Sequence, residues 1–279
     1  MNHLILDYEL PLRLIPFFAI LVVMALWEGL SPRRPRAASR STRWMNNLGM
    51  VALDSVILRL VMPATAISVA SFVAPHGWGL FSVVGLSGWP AVVLGIMALD
   101  LAIYGQHVLF HAVPVLWRLH KVHHTDLDID VTTGVRFHPA EVILSMGIKM
   151  GIVLVLGAPV VAVLLFEVIL NGTSMFNHGN VRMGRKFDGW LRLFLVTPDM
   201  HRVHHSVIIK ETNSNFGFNF PWWDRLFGTY RAQPANGHER MVIGLSRYRD
   251  PKYLTFVRLL TLPFLPERKN PLSSHTGRQ

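Results

Sequence analysis

The 279-residue chain contains no cysteine and few charged residues. The absence of cysteine excludes disulfide bonds, thiolate metal sites and a cysteine nucleophile. Charged residues make up 16% of the chain and hydrophobic residues 51%, which is too apolar for an ordinary soluble domain of this length. The formal net charge is +10, but no nucleic-acid-binding motif accompanies it, so we expect no nucleic-acid partner. The composition therefore indicates a membrane protein.

Three apolar stretches are close to or above the roughly 20 residues needed to cross a bilayer core of about 30 Å. They are Leu12 to Leu30, Leu48 to Ala74 and Trp89 to Phe110. Asp54, Arg59 and Asp100 interrupt them, so we expect those faces to meet protein, water or headgroups rather than lipid. We predict three full spans in an all-α integral membrane bundle.

The first span is expected to be a retained anchor, because Asp7 and Glu9 replace the basic start of a cleaved signal. A short basic loop follows, and loops of this kind stay in the cytoplasm. Its arginines are Arg33, Arg34, Arg36, Arg40 and Arg43. This orientation places the residues after the third span on the cytoplasmic side.

A fourth apolar stretch, Val142 to Leu170, is interrupted at Gly157-Ala158-Pro159. Its front half has about 15 residues, roughly 22 Å of helix, which is short for a crossing. We therefore predict a helical hairpin that enters the membrane and returns. Residues 182–192, basic around Trp190, are typical of an interfacial amphipathic segment, and the residues from Pro266 onward are expected to form a weakly ordered tail.

Ten of the fourteen histidines fall in ordered groups. They are His107, His111, His120, His123, His124, His138, His178, His201, His204 and His205. Two groups share the pattern His-x-x-His-His, in which residues three and four apart lie on one helix face. A single such cluster could be a polar turn at the headgroups. Two matching clusters and a helical pair supply eight imidazoles, more than one ion can use, and so predict a two-metal site.

The remaining histidines are less distinctive. His138 and His178 flank the predicted hairpin, and each could be a metal ligand or a hydrogen-bonded structural residue; we favour the ligand. Four others lie in termini or loops without partners and are expected to be solvated. These are His3, His76, His238 and His275.

Neutral imidazoles do not cancel the charge of two metal ions, so nearby carboxylates are needed. Asp100 continues the stripe of His107 and is placed to orient a ligand, although a helix-packing acid is an equal alternative. Four more carboxylates flank the histidines, and we predict that at least two supply compensating charge. They are Asp126, Asp128, Glu141 and Asp199. Asp100 and Asp199 are our candidate catalytic residues.

From Asp100 to Thr229 the motifs resemble those of the fatty acid hydroxylase and sterol desaturase superfamily. In order they are His107-x-x-x-His111, His120-x-x-His123-His124, Arg136-x-His138-Pro139, Asn177-His178-Gly179-Asn180, His201-x-x-His204-His205 and Trp223-Asp224-Arg225-Leu226-Phe227-Gly228-Thr229. The resemblance implies a non-haem diiron centre held mostly by histidine, with O2 as cosubstrate and a lipid as substrate. It also implies a separate electron-transfer protein, a cytochrome b5-like protein or a ferredoxin with its reductase, because this chain has no segment typical of either.

The predicted organisation has three parts: an N-terminal anchor region (1–88), a diiron catalytic domain (89–231) and a basic C-terminal tail (232–279). Hydroxylation and desaturation both stay open, as do fatty acyl, sterol, ether-lipid and isoprenoid substrates. Two rival classes place histidines similarly. A membrane metal transporter or sensor would carry ionisable residues across the bilayer, and a zinc hydrolase would need only three ligands and a general base.

Overall fold

The computed structural model describes residues 2–265, and these residues form helices and loops without β-strands. Isolated bridges pair Pro32 with Val181 and Ser206 with Ile243. The helices are α1 (Asn2–Asp7), α2 (Glu9–Leu30), α3 (Arg40–Val61), α4 (Ala66–His76), α5 (Leu80–Val83), α6 (Gly88–Ala112), α7 (Pro114–His124), α8 (Pro139–Leu156), α9 (Val160–Asn177), α10 (Arg185–Leu191), α11 (Pro198–His204), α12 (Ile209–Thr212), α13 (Trp222–Leu226), α14 (Gly237–Arg240) and α15 (Phe256–Thr261), with short 3-10 turns at Thr133–Val135, Pro251–Leu254 and Leu262–Phe264. The all-α prediction is confirmed. The predicted tail from Pro266, with His275, lies outside the described residues.

Five helical stretches are long and apolar enough to cross a membrane by length and composition. They are Glu9–Leu30, Arg40–Val83, Gly88–Ala112, Pro139–Leu156 and Val160–Asn177. The sequence predicted one span from Leu48 to Ala74. The structure has two helices there instead, because Pro63 disfavours a helical conformation at Met62. Met62 is extended, and Thr65 restarts the helix through a capping box with Ser68.

The predicted hairpin forms as α8 and α9, joined by Gly157-Ala158-Pro159. Its first helix starts at Pro139, before the predicted Val142, so it has 18 residues and measures about 27 Å. The turn packs against the loop after α4. A Cβ on Gly157 would lie 2.3 Å from the Trp78 carbonyl oxygen, and Gly157 has φ +67°, so only glycine fits. The hairpin therefore reaches the far end of α4 and brings His138 and His178 back to the same end of the bundle.

The bundle core lies where α4, α6, α8 and α9 meet, and α2 packs along the outside of α9. Glu167 of α9 is buried within this apolar packing. It accepts hydrogen bonds from Lys149 Nζ of α8 at 2.6 Å and from Arg13 of α2. This charged triad neutralises a carboxylate that apolar surroundings would otherwise destabilise.

The basic segment between α2 and α3 lies at the histidine end of the bundle. Arg33 pairs with Asp199, and Arg34 donates to the Met241 carbonyl at 2.7 Å. Arg43 is not a loop residue but is buried in α3, where it holds Asp126 through two hydrogen bonds of 2.6 and 2.8 Å. These contacts connect all three predicted parts of the chain at one end.

The predicted interfacial segment forms α10, which exposes Phe187 and Trp190. The exposed Phe194 follows, with its ring centroid 5.7 Å from that of Trp190. Trp222 of α13 donates its indole N–H to the Leu193 carbonyl at 2.7 Å. An apolar, aromatic surface of this kind is typical of a membrane interface.

Candidate metal centre

Nine histidines converge from four parts of the chain. The C-terminal part of α6 supplies His107 and His111, and the residue after α9 supplies His178. The short helices α7 and α11 with their C-caps carry the two His-x-x-His-His motifs, and both helices begin with a proline, which is favourable at the first helical position. Thr197 accepts a hydrogen bond from the Met200 amide and so caps α11. These local signals fix where each motif starts on its helix.

The nine residues form two groups, each with one ligand atom per residue within 4.8 Å of the others. The five-histidine group contains His107, His111, His120, His124 and His204. The four-histidine group contains His123, His178, His201 and His205. Each motif divides between them: His120 and His124 join one group, whereas His123 joins the other. In the second motif, His204 joins the five-histidine group, whereas His201 and His205 join the four-histidine group. Each motif therefore contributes ligands to both groups.

The Nδ1 atoms of six of these histidines are hydrogen-bonded, mostly to backbone carbonyls. The pairs are His107 with Phe216 O at 2.7 Å, His111 with Asn213 Oδ1 at 3.2 Å, His120 with Glu141 Oε1 at 2.6 Å, His123 with Arg136 O at 3.2 Å, His178 with Ser174 O at 2.6 Å and His204 with Ser214 O at 2.8 Å. Each acceptor holds the proton on Nδ1, which leaves Nε2 with a lone pair facing the centre.

These lone pairs lie close together without protein donors. His107 Nε2 is 3.1 Å from His120 Nε2, and His178 Nε2 is 3.0 Å from His123 Nε2. The Nε2 atoms of His111, His124 and His204 are buried and have no hydrogen-bond partner in the described part of the chain. Two neighbouring acceptors repel each other unless a cation lies between them. Nitrogen ligands about 2.1 Å from one ion are about 3 Å apart when adjacent, so the residues fit metal ions.

Burial keeps these imidazoles neutral. It lowers the pKa of His123, His124, His201, His204 and His205 well below the ordinary 6.5, and neighbouring histidines lower each pKa further. The pKa of His178 falls to about 4, mainly because of burial. A neutral imidazole is the form that binds metal, so the site is ready for metal at neutral pH.

His138, which the sequence predicts to be a ligand, lies outside both groups. Its Nδ1 accepts a hydrogen bond from the Ala140 amide at 3.2 Å and caps α8, and its Nε2 donates to the Leu260 carbonyl at 3.2 Å. Both ring nitrogens are therefore engaged. His138 therefore has the contacts of a hydrogen-bonded structural histidine.

The flanking carboxylates contact different partners. Glu141 accepts from His120 Nδ1, as the charge argument requires. Burial alone would raise the pKa of Asp126, but Arg43 and Arg136 hold it at about 2. Asp128 instead accepts the amide protons of Ala37 and Ala38 at 2.8 and 2.7 Å. Glu141 is thus the flanking carboxylate that contacts a candidate ligand directly.

The two candidate catalytic acids do not hydrogen-bond to a histidine of either group in the described part of the chain. Asp100 Oδ2 accepts from the Trp223 indole at 2.8 Å and from the Phe220 amide at 3.3 Å, as its helix-packing alternative predicted. Asp199 pairs with Arg202 and Arg33. These cations keep the pKa of Asp199 low although burial opposes them. Asp100 thus links α6 to the segment at the start of α13, and Asp199 links α11 to the segment between α2 and α3.

Two residues that support the histidine site were not predicted from the sequence. Asp224 accepts from the amides of Phe216 and Gly217 at 2.8 and 2.9 Å and so fixes the loop whose carbonyl holds His107. His238, predicted to be solvated, is buried, and a ring nitrogen lies 3.7 Å from Asp199. Burial lowers the pKa of His238 to about 4. His76 is exposed as predicted, although its Nδ1 bonds to the Phe72 carbonyl at 2.7 Å.

A cavity of about 230 Å³ runs from the five-histidine group into the bundle between α3, α6, α8 and α9. His107 and His120 line one end. The exposed residues of its wall are Ser55 on α3 and Asn171 on α9, so its mouth lies between these helices. The cavity thus extends from the histidines to the surface of the bundle between α3 and α9.

Membrane-length helices that converge on paired groups of buried histidines define a multi-pass integral membrane protein with a histidine-rich centre. Residues 92–229, which supply all nine histidines, match the fatty acid hydroxylase family. This segment belongs to that family, which confirms the resemblance seen in the motifs.

Three relatives illustrate what the chain is similar to. It is 28% identical over 230 residues to the ornithine lipid hydroxylase OlsE of Rhizobium tropici, covering 78% of this chain and 66% of the relative. It is 28% identical over 163 residues to the alkylglycerol monooxygenase of Homo sapiens, covering 57% of this chain and 33% of the relative. It is 25% identical over 158 residues to the Delta(7)-sterol 5(6)-desaturase ERG3B of Gibberella zeae, covering 56% and 44%. The chain thus spans between about one third and two thirds of these relatives. No solved structure matches it.

Proposed function

We propose that the protein is a membrane-bound oxidoreductase that hydroxylates or desaturates a lipid at a non-haem diiron centre, with O2 as cosubstrate. The observation that carries this proposal is the set of inward-facing Nε2 atoms in two adjacent groups. Imidazole suits iron, and two ions in such centres lie roughly 3.5 to 4 Å apart. The five-histidine group would hold one iron and the four-histidine group the other.

Bound iron would supply the activation of O2 that attack on an unreactive carbon-hydrogen bond requires. The protein's own residues hold the ligands in one tautomer through carbonyls and Glu141, which preorganises the centre. Glu141 also places negative charge against His120. The rings of Phe110, Phe137 and Phe218 form apolar walls of the cavity beside the centre and limit the access of water.

Lipid access is proposed through the mouth between α3 and α9. The apolar side chains of Val51, Leu58 and Leu170 line the cavity with the exposed Ser55 and Asn171. A lipid could place its reactive carbon near His107 while its remaining chain stays in the bilayer. Small offsets between the centre and this carbon would choose between hydroxylation and desaturation.

We infer a cytoplasmic location for the histidines from the basic segment beside them. Arg33 and Arg34 contact residues at the histidine end of the bundle, and short basic loops stay in the cytoplasm. Hydroxylation consumes O2, two electrons and two protons and yields an alcohol and water. The electrons would come from a separate cytochrome b5-like protein, or from a ferredoxin with its reductase.

The test is reconstitution of the iron-loaded protein in nanodiscs with an electron donor and a panel of lipids under ¹⁸O2. The panel takes an ornithine lipid, an alkylglycerol and a sterol, the compounds named for the relatives. Incorporation of one labelled oxygen supports hydroxylation, and loss of two hydrogens supports desaturation. Lipid cleavage without O2, or transport of metal without lipid oxidation, would contradict the proposal. The His204→Ala variant serves as the inactive control.

A further inference from the structure

Three residues that line the cavity beside the histidines each have a buried acceptor oxygen without a hydrogen-bond partner among the described residues 2–265. They are Asp54 Oδ1 of α3, Gln106 Oε1 of α6 and Glu141 Oε2 of α8. Buried acceptors without donors are costly and rare in folded proteins. All three residues line one cavity of about 230 Å³, which has room for a ligand that supplies donors.

Asp54 is the strongest indication. Its side chain lies almost entirely inside the bundle, with 5% of the residue exposed. The charged group that acts on it electrostatically is Glu141, whose like charge repels it. Lys149 also lines the cavity, but its Nζ donates to Glu167 at 2.6 Å. The cavity therefore holds two carboxylates near each other without a cation of the protein assigned to them.

The other two groups are partly engaged, which fixes their free atoms. Glu141 uses Oε1 for His120 and keeps Oε2 free. Gln106 donates from Nε2 to Ser145 Oγ at 3.0 Å and keeps Oε1 free. Each residue lines the cavity and is held by a neighbour, and one of its oxygens is buried without a hydrogen-bond partner among residues 2–265. An ammonium group has three N–H donors, which matches three acceptors, and its charge compensates the carboxylates.

We propose that the cavity end formed by Asp54, Gln106 and Glu141 binds the protonated amine of a lipid substrate. The proposed subsite rests on the proposed function in one respect: the bound lipid is taken to be the substrate. Glu141 also contacts His120, so an amine bound to Glu141 would be separated from a candidate metal ligand only by this carboxylate. The oxidised carbon is then a few bonds from the nitrogen rather than at the far end of a long chain.

The test measures binding to metal-free protein in nanodiscs, with empty nanodiscs subtracted. The probes are tritiated hexadecylamine, hexadecanol and hexadecanoate, which share one chain length and differ in charge. The wild-type protein is expected to bind the amine about tenfold more tightly than the alcohol, and the carboxylate most weakly. Asp54→Asn is expected to remove this preference, whereas Asp54→Glu retains it. Asp7→Asn, an exposed change of the same charge, is the matched control and should retain it.

A thermal measurement separates binding from folding. Without ligand, Asp54→Asn is expected to melt at or above the wild-type temperature, because it removes an acidic side chain whose charged form is disfavoured by burial and by Glu141. Added hexadecylamine should raise the melting temperature of the wild type but not of Asp54→Asn. Equal binding of amine and alcohol by the wild type would overturn the subsite even if a variant failed to fold. An unchanged preference in folded Asp54→Asn would also overturn it.

The outcome is independent of catalysis, because the binding assay uses no iron or O2. Amine-selective binding without lipid oxidation would support the subsite and contradict the proposed function. Oxidation of lipids without any selectivity for amines would leave the proposed function and contradict the subsite.

Discussion

Glu141 Oε1 accepts a hydrogen bond from His120 Nδ1 at 2.6 Å, and both side chains are buried. The carboxylate holds His120 in the tautomer whose Nε2 faces the five-histidine group. A charged partner on the outer nitrogen also raises the basicity of the ligand. In the proposed centre, this contact would place negative charge beside a metal ligand.

Replacing Glu141 with glutamine is expected to reduce iron affinity or lipid turnover by about 10- to 100-fold. Glutamine keeps an acceptor for His120 but removes the charge. The measurement is iron per chain by mass spectrometry together with turnover. Glu239→Gln removes the same charge from an exposed side chain and should leave both unchanged. Wild-type iron content and turnover in Glu141→Gln would show that the charge is unimportant.

The His138→Ala variant is expected to keep its iron. His138 caps α8 and lies outside both histidine groups, so its loss should cost about 1 kcal/mol of stability, as for other caps. The measurements are iron content and melting temperature, with His76→Ala as the control because His76 is exposed. Loss of iron from a folded His138→Ala protein would restore the original prediction that this residue is a ligand.

Asp199→Asn is expected to lower iron occupancy and stability together. The variant leaves Arg202 buried without its counter-charge and weakens the contact with Arg33. We expect a loss of about 2 kcal/mol, less than for a fully buried pair, because the Asp199 side chain is 19% exposed. Displacement of α11 would then move His201 and His204. Asp250→Asn, in an exposed pair with Lys252, is the control. Full iron content, wild-type turnover and an unchanged melting temperature would refute this role.

Acidification is expected to destabilise the metal-free protein between pH 6.5 and 4. The folded-state pKa of His178 is about 4, below its ordinary 6.5, so the unfolded chain takes up a proton in this range and the folded chain does not. The stability present at neutral pH therefore falls as the pH decreases, by on the order of 3 kcal/mol for His178 alone. The lowered pKa values of His123, His124, His201, His204 and His205 act in the same direction. A melting temperature that stays constant or rises from pH 7 to 4 would contradict this; His76→Ala should show the wild-type slope.

The sequence predicted the long apolar helices and the hairpin, and it predicted ten histidine ligands, of which the structure brings nine together, because these features depend on local spacing or on long apolar runs. It did not predict how the motifs divide between the two groups. His120 and His124 face one group because they are about one turn apart, but His123 faces the other through the packing of α7 against distant segments. That division is tertiary and has no signal in either motif alone.

Contacts between residues that are distant in sequence also explain where His238, His138 and Asp100 differ from expectation. His238 was expected to be solvated because it lies in a loop without evident partners, yet the contacts of Arg34 with the His238 and Met241 carbonyls hold that segment against the bundle. His138 precedes a proline, which indicates a helix start as well as a motif. Asp100 lies on the histidine stripe, but a tryptophan from 123 residues later occupies its carboxylate. Sequence spacing cannot reveal such distant partners.

The most direct test of the two-group centre is the iron content of the purified protein and of one variant from each group. The account predicts about two irons per chain in the wild type, and a clear loss of iron in His204→Ala and in His123→Ala, which remove a ligand from the five- and four-histidine groups. A single zinc per chain in the wild type, or full iron retention in either folded variant, would contradict the account.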